Sequence, residues 1–362
     1  MNVARQRLYN QQIASPTFEQ PSDVVGWLGA VQAQNYLGAL WAVGLRMKSA
    51  TEQDIEQALA DRTILRTWPM RGTLHFVAAA DVRWMLELMT PRVLVASSRR
   101  LQKEFGLDDA VFARSREVLS RALQGGRQLS RNAMYQVLEA AHISAAGQRG
   151  LHILWWLAQE GLLCFGAREG KQQTFVLLEE WVPGAERLER DEALAQLARR
   201  YFTSHGPATV QDFTWWSGLA PADAIAGLES VKADLTQEVV DGQTYWFSSA
   251  MPTVKEKSPT AYLLPAYDEY TVAYKDRSAV LDPLHAQRPD SGHGIFYPTM
   301  VLDGQVVGTW KRTLNKGSVD ITLRPFTPLK KAAEQAFAKA ARRYGAFLTP
   351  SPGSRRASHP VA

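Results

Sequence analysis

The 362-residue chain holds a single cysteine, Cys164, in the apolar stretch Leu162-Leu163-Cys164-Phe165, so no internal disulfide can form. In that context the thiol reads as a small buried hydrophobe rather than a reactive group. No apolar run approaches the ~20 residues of a membrane span. The start, from Met1 to Arg7, leads into polar sequence without an apolar signal core. A cytoplasmic protein with no membrane partner is expected. Absent too are a G-x-x-x-x-G-K phosphate loop, a G-x-S-x-G elbow and a lysine in an obvious nucleophilic setting, which favours simple hydrolysis over lyase chemistry. The seven histidines, His75, His152 and His293 among them, lack paired-ligand spacing. Asp268, Glu269 and Asp276 invite a metal reading, but no His or Cys spacing supports it and Arg277 is at hand as an ion-pair partner. The expectation is no metal and no cofactor.

What is present is globular. Hydrophobic residues make up 46% and charged residues 21%, which rules out wholesale disorder, and the length suits two to four packed units. The net charge of +5 is small, but its placement is uneven: residues 311–362 hold eleven Lys or Arg against Asp320 and Glu334, leaving the first 310 residues at −4. A polyanion such as nucleic acid accounts for such an end, and so does a solvated basic tail.

Apolar positions Val24, Val25, Trp27, Leu28 and Val31 follow helical spacing up to Gln32-Ala33-Gln34. Helical patterns follow from Tyr36 to about Met47 and from Thr51, and the alternation in residues 63–68 and 73–77 predicts a hairpin. Three helices and a hairpin make a winged helix. The order recurs over 109–178 and 194–247, where Asp241-Gly242 is a strong hairpin signal. Beyond Pro252 come short β-like runs at 262–264, 299–302, 305–310 and 318–323, then a helix from Pro328 with Leu329, Ala333, Phe337, Ala340 and Tyr344 on one face. The expected class is α+β: three tandem winged-helix (helix-turn-helix) units with a small C-terminal antiparallel β-barrel and a terminal helix. The expected units are 1–95, 105–185, 190–250 and 255–348, followed by a disordered tail at 349–362.

The tripeptide Gln32-Ala33-Gln34 puts two amides at i and i+2. On a helix they would diverge, whereas on extended backbone they face one side. A neutral amide offers a donor and an acceptor and has no useful pKa, so it can hold water without taking its proton. Taken alone, glutamines between two helices are more often turn residues bonding local backbone.

Gln32-Ala33-Gln34, the segment from Arg66 to His75, the segment from Leu263 to Tyr270 and the late Val307-Gly308-Thr309-Trp310-Lys311 resemble the winged-helix DNA glycosylases typified by AlkZ. The resemblance runs from about Gln12 to Leu348. It implies hydrolysis of the N-glycosidic bond of N7-alkylated guanine in double-stranded DNA, crosslink unhooking in one branch, and a nucleoid-associated, monomeric, monofunctional enzyme. The glutamine-x-glutamine form matches the branch that handles bulky adducts. N7 alkylation makes guanine cationic, so it departs neutral and needs no general acid. What remains is to orient water and stabilise an oxocarbenium-like sugar. Gln34 is expected to bind the water and Gln32 to orient it. The family's DNA-entering hairpin has a counterpart between about Thr309 and Leu323. Candidate phosphate contacts are Arg71, Arg92, Arg99, Arg100, Lys311, Arg312 and Lys316. Trp68 could stack on a base or serve as a core aromatic. A winged-helix transcriptional regulator and a non-catalytic DNA-binding protein are the competing readings.

Overall fold

A computed structural model describes residues 1–250, 258–286, 297–315 and 318–349. The Pro21–Leu28 helix ends at Gly29, whose φ of 78° suits a residue without Cβ. Val31 therefore leaves the helical pattern and opens strand β1 (Val31–Gln32). Helices Tyr36–Leu45 and Glu52–Ala60 follow, then β2 (Ile64–Met70) and β3 (Thr73–Ala78). The turn Arg71-Gly72 has positive φ at both positions, the mirror-image geometry that matches strand twist.

Helices Asp109–Leu123, Arg131–Ala140 and Arg149–Gln159, with β4 (Leu129–Ser130) between the first two, lead to the hairpin β5 (Leu163–Phe165) and β6 (Thr174–Leu177). Helices Arg190–Ser204, Val210–Ser217 and Pro221–Val231 lead to β7 (Leu235–Val240) and β8 (Gln243–Ser248). Three helices and a hairpin thus occur three times in chain order. The Val82–Phe105 helix is not foreseen by the sequence pattern, because Pro91 lies inside it and proline ordinarily interrupts a helix.

The first two hairpins do not stand apart. Arg66 pairs with Phe165, joining them in one six-stranded sheet of order β1-β3-β2-β5-β6-β4, in which β1 is an edge strand. The third hairpin remains two-stranded.

The expected C-terminal barrel is replaced by an open sheet. Strands β9 (Ala261–Leu264), β10 (Thr299–Leu302), β11 (Gln305–Asn315) and β12 (Ser318–Pro325) run in the order β12-β11-β10-β9, with no β9–β12 pairing among the described residues to close it. The Lys331–Leu348 helix buries Ala333, Phe337, Tyr344 and Phe347, so apolar surface is covered by a helix rather than by closure. That helix starts at Lys331, three residues past Pro328. Of the expected tail, all but Thr349 lies outside the described residues.

Two cores meet at the glutamine motif. Val31 and Ala33 pack in one with Leu263, Leu264, Tyr270, Trp310 and Tyr344, so the first helices and the C-terminal sheet share an interior. Ala30 packs in the other with Leu65, Val77, Tyr201 and Trp216.

Candidate active site at the glutamine pair

Gln32-Ala33-Gln34 is extended. Val31 and Gln32 pair with Phe76 and His75 of β3, and the Ala33 N–H continues the ladder by donating to the Leu74 carbonyl at 2.7 Å. In this register Gln32 and His75 form the non-hydrogen-bonded pair, the one that brings facing side chains closest. Arg66 donates to the Ala33 carbonyl through Nε at 3.2 Å and through its guanidinium end at 2.7 Å. It lies between the Tyr36 and Phe165 rings, 5.3 and 5.0 Å from their centroids. The middle residue of the motif is therefore held on both edges.

The two glutamines differ in bonding. Gln34 is exposed, and its Oε1 accepts the Leu74 N–H at 2.9 Å. Gln32 is 9% exposed, and its side-chain amide has no hydrogen-bond partner among the described residues.

Because β1 is an edge strand, the Gln32 N–H points away from the sheet. It meets a carboxylate instead of another strand: Glu269 Oε1, at 2.9 Å. The other oxygen, Oε2, accepts the Trp216 indole N–H at 2.9 Å and lies 3.5 Å from His205 Nε2. Burial alone would raise the Glu269 carboxyl, but His205, His75 and the Gln32 amide hold it below the usual carboxylate range. His205 is itself pushed down, first by burial; as a neutral imidazole protonated at Nδ1 it gives Glu269 no hydrogen bond, and a neutral His75 gives it no charge. An ionised Glu269 stands regardless, because two N–H donors point at its oxygens whichever form His205 takes.

Neighbouring groups fix this carboxylate. Asp268 pairs with Arg46 through two bonds of 2.9 and 2.8 Å, both side chains fully buried, and accepts the Tyr270 N–H at 2.9 Å. The Tyr270 hydroxyl lies within hydrogen-bond distance of the Gly304 and Ala4 carbonyls. His75 donates from Nδ1 to the Thr73 carbonyl at 2.9 Å, the tautomer assigned from that partner, and its Nε2 faces Arg71 at 3.5 Å. Burial, followed by the Arg71 charge, lowers His75 to about 4, so the ring is neutral at physiological pH.

The basic candidates separate. Arg71 spends its guanidinium on the Trp215 and Trp216 carbonyls, at 3.3 and 2.6 Å, and serves the interior. Arg312 bonds the Tyr344 hydroxyl. Arg100 pairs with Glu104 at 3.4 Å, and Arg92 donates to the Gly218 carbonyl at 3.2 Å. Arg99 and Lys311 are exposed with no partner among the described residues. Lys316 lies outside the described residues, as does His293. Strand β11 runs past β10, which pairs only as far as Thr309; beyond it β11 pairs with β12 alone and Leu314 is 59% exposed, while Val319 and Ile321 pack against the core and Arg312 bonds Tyr344 of the terminal helix.

Trp68 is a core aromatic, 5.1 Å from Phe165. Cys164 is buried, and burial pushes its thiol up. Among the described residues no cluster of His, Cys, Asp and Glu could hold a metal, and no helix is long and apolar enough to cross a membrane. Glu269, Trp216 and His205 were not legible as a unit. The acidic pair Asp268-Glu269 lies in the segment from Leu263 to Tyr270 that carries the family resemblance, but nothing in the sequence linked it to residues 205 and 216.

The protein is a DNA glycosylase, a monofunctional hydrolase of N-glycosyl bonds. The chain belongs to the AlkZ-like DNA glycosylase family, whose model matches residues 25–347. It is 27% identical to an interstrand DNA cross-link repair glycosylase of Streptomyces sahachiroi, over 95% of this chain and 96% of that protein. It is also similar to the solved Streptomyces sahachiroi DNA glycosylase AlkZ, with a TM-score of 0.77 at 25% identity, covering 96% of this chain and 97% of that one.

Proposed function

We propose that this glycosylase excises N7-alkylated guanine from double-stranded DNA and unhooks interstrand crosslinks made through that position, with Gln32 and Gln34 as the catalytic residues. The observation that carries this reading is the unpartnered side-chain amide of Gln32, on a strand held by bonds from β3, Arg66 and Glu269. Its amide atoms keep contact with solvent and are open to a water or a ligand.

N7 alkylation supplies the leaving group's charge, so the enzyme has only to place water against the anomeric carbon and to favour the oxocarbenium-like sugar. The bonding favours a division of labour opposite to the one expected from sequence. The Gln32 Oε1 is free to accept a hydrogen bond from the attacking water, whose proton passes to solvent once the C–O bond has formed. Gln34, tied to the Leu74 N–H, keeps its NH2 to orient that water or the sugar. Neither amide is a base, which limits the reaction to labile, cationic lesions.

The three helix-and-hairpin sets at 1–95, 105–185 and 190–250 serve as winged-helix modules, and the β11–β12 hairpin is the element that enters the duplex. Arg92, Arg99, Arg100 and Lys311 are the phosphate contacts. The relative named for crosslink repair supports the crosslink reading. The enzyme works on chromosomal DNA in the cytoplasm as a monomer.

The test incubates wild type, Gln32→Ala and Gln34→Ala with duplexes carrying 7-methylguanine or a nitrogen-mustard crosslink. Base release or unhooking by wild type, lost in both variants with duplex binding retained, is expected. Turnover surviving both substitutions would falsify the site.

A further inference from the structure

Glu269 lies within 2.9 Å of the glutamine motif without reaching solvent. Both oxygens already accept N–H donors, Oε1 from Gln32 and Oε2 from Trp216, and the side chain is 0% exposed. A carboxylate so occupied neither touches substrate nor activates water. We propose that Glu269 is a positioning residue: its carboxylate takes the place of a missing neighbouring strand, fixes the Gln32 main chain, and so sets where the Gln32 amide points.

The edge-strand geometry makes this necessary. On its inner side β1 is bound by β3, but the Gln32 N–H faces outward and has the Glu269 carboxylate as its partner. A hydrogen bond to an ionised acceptor is roughly twice as strong as a neutral one, and stronger still away from water. The carboxylate is itself anchored, from the helix Val210–Ser217 through Trp216 and, through the preceding residue, by the Asp268–Arg46 pair. The Ser204 hydroxyl donates to the Arg200 carbonyl at 2.7 Å, so its oxygen must accept from His205 Nδ1 at 2.8 Å. That leaves His205 Nε2 facing Glu269, where it can receive a proton donor.

The donor count yields a sharp test. A carboxylate meets two N–H donors with two acceptors, whereas a carboxamide has one acceptor and would turn its NH2 against either Gln32 or Trp216. In Glu269→Gln/Trp216→Phe the opposing indole N–H is gone, so the amide oxygen keeps Gln32 while its NH2 can donate to His205 Nε2.

Amide hydrogen exchange resolved to residue 32, which reads positioning directly, is measured alongside single-turnover release of 7-methylguanine, which rests on the function proposed above. In wild type the Gln32 amide should be protected as a ladder amide is. Glu269→Gln should raise its exchange about tenfold or more and slow base release roughly 10²-fold at unchanged duplex affinity. The double variant should recover both. An unprotected Gln32 amide in wild type overturns the proposal even if no variant folds. So does unaltered exchange in Glu269→Gln, and so does a double variant that regains protection but not rate, since the loss would then belong to the charge itself. If exchange responds as expected while wild type releases no base, the positioning role stands and the substrate reading fails.

Discussion

The glutamine motif and the β11–β12 hairpin are both β-structure with unpaired edges, and they treat those edges in opposite ways. Around Gln32 the outward N–H is met by a buried carboxylate, the next carbonyl by Arg66, and the following side chain by the Leu74 N–H. From Lys311 to Asp320 β11 pairs with β12 alone, and although Arg312 is held by Tyr344 and Val319 by the core, Lys311 and Leu314 are left to solvent. The difference teaches where this molecule places order. On the function proposed above, orienting one water needs a scaffold fixed to a fraction of an ångström, whereas contact with a duplex needs reach and charge.

Substitutions should separate the two regions most strongly in rate. Gln32→Ala should cut single-turnover base release by about 10²-fold or more while leaving duplex affinity within about twofold. An equal rate loss in Leu314→Ala at saturating enzyme would erase the contrast. Next comes stability: Asp268→Ala leaves Arg46 buried without its partner and should cost about 3–5 kcal/mol in urea unfolding. Leu314→Ala should stay within about 0.5 kcal/mol, because its side chain packs against little.

Acid should weaken the motif's surroundings selectively. His75 has an ordinary value of 6.5 when unfolded and about 4 when folded, so the unfolded chain binds the extra proton between those values. Stability is complete above pH 6.5 and falls as pH drops toward 4, by about 3 kcal/mol from this ring alone. The depressed Glu269 carboxyl acts with the same sign at lower pH, its contribution being lost below its ordinary value of 4.5. Urea midpoints at pH 7.0, 5.5 and 4.5 check the trend, and a midpoint that rises on acidification would contradict the neutral, buried ring. The smallest expected effect is on the hairpin side: Lys311→Ala should reduce the slope of log affinity against log salt by about 0.9 and leave the rate at saturation unchanged.

Much of the architecture was legible along the chain. Gly72, Asp241-Gly242 and Asp303-Gly304 mark turns where the backbone takes positive φ, and the apolar periodicity between them names helices and strands, although the helical spacing runs on to Val31 past Gly29, where the helix in fact ends. Extended backbone at Gln32-Ala33-Gln34 was expected only on the condition that both amides serve one side, and the ladder to β3 has that conformation. The barrel failed as an expectation because strand runs alone do not say whether the last strand pairs with the first or a helix covers the face. The 82–105 helix escaped because one proline counted for more locally than the apolar residues that tertiary packing rewards.

By itself the sequence determined local conformation, the basic C-terminal end and a pair of amides able to handle water but not to take its proton. The tertiary structure alone decided which groups serve that pair. Glu269 reaches Gln32 across 237 positions of chain and Trp216 across 53, and Arg46 reaches Asp268 across 222. Such separations leave no periodicity or motif to read, since a buried charge and its donors are brought together only when the cores around them close.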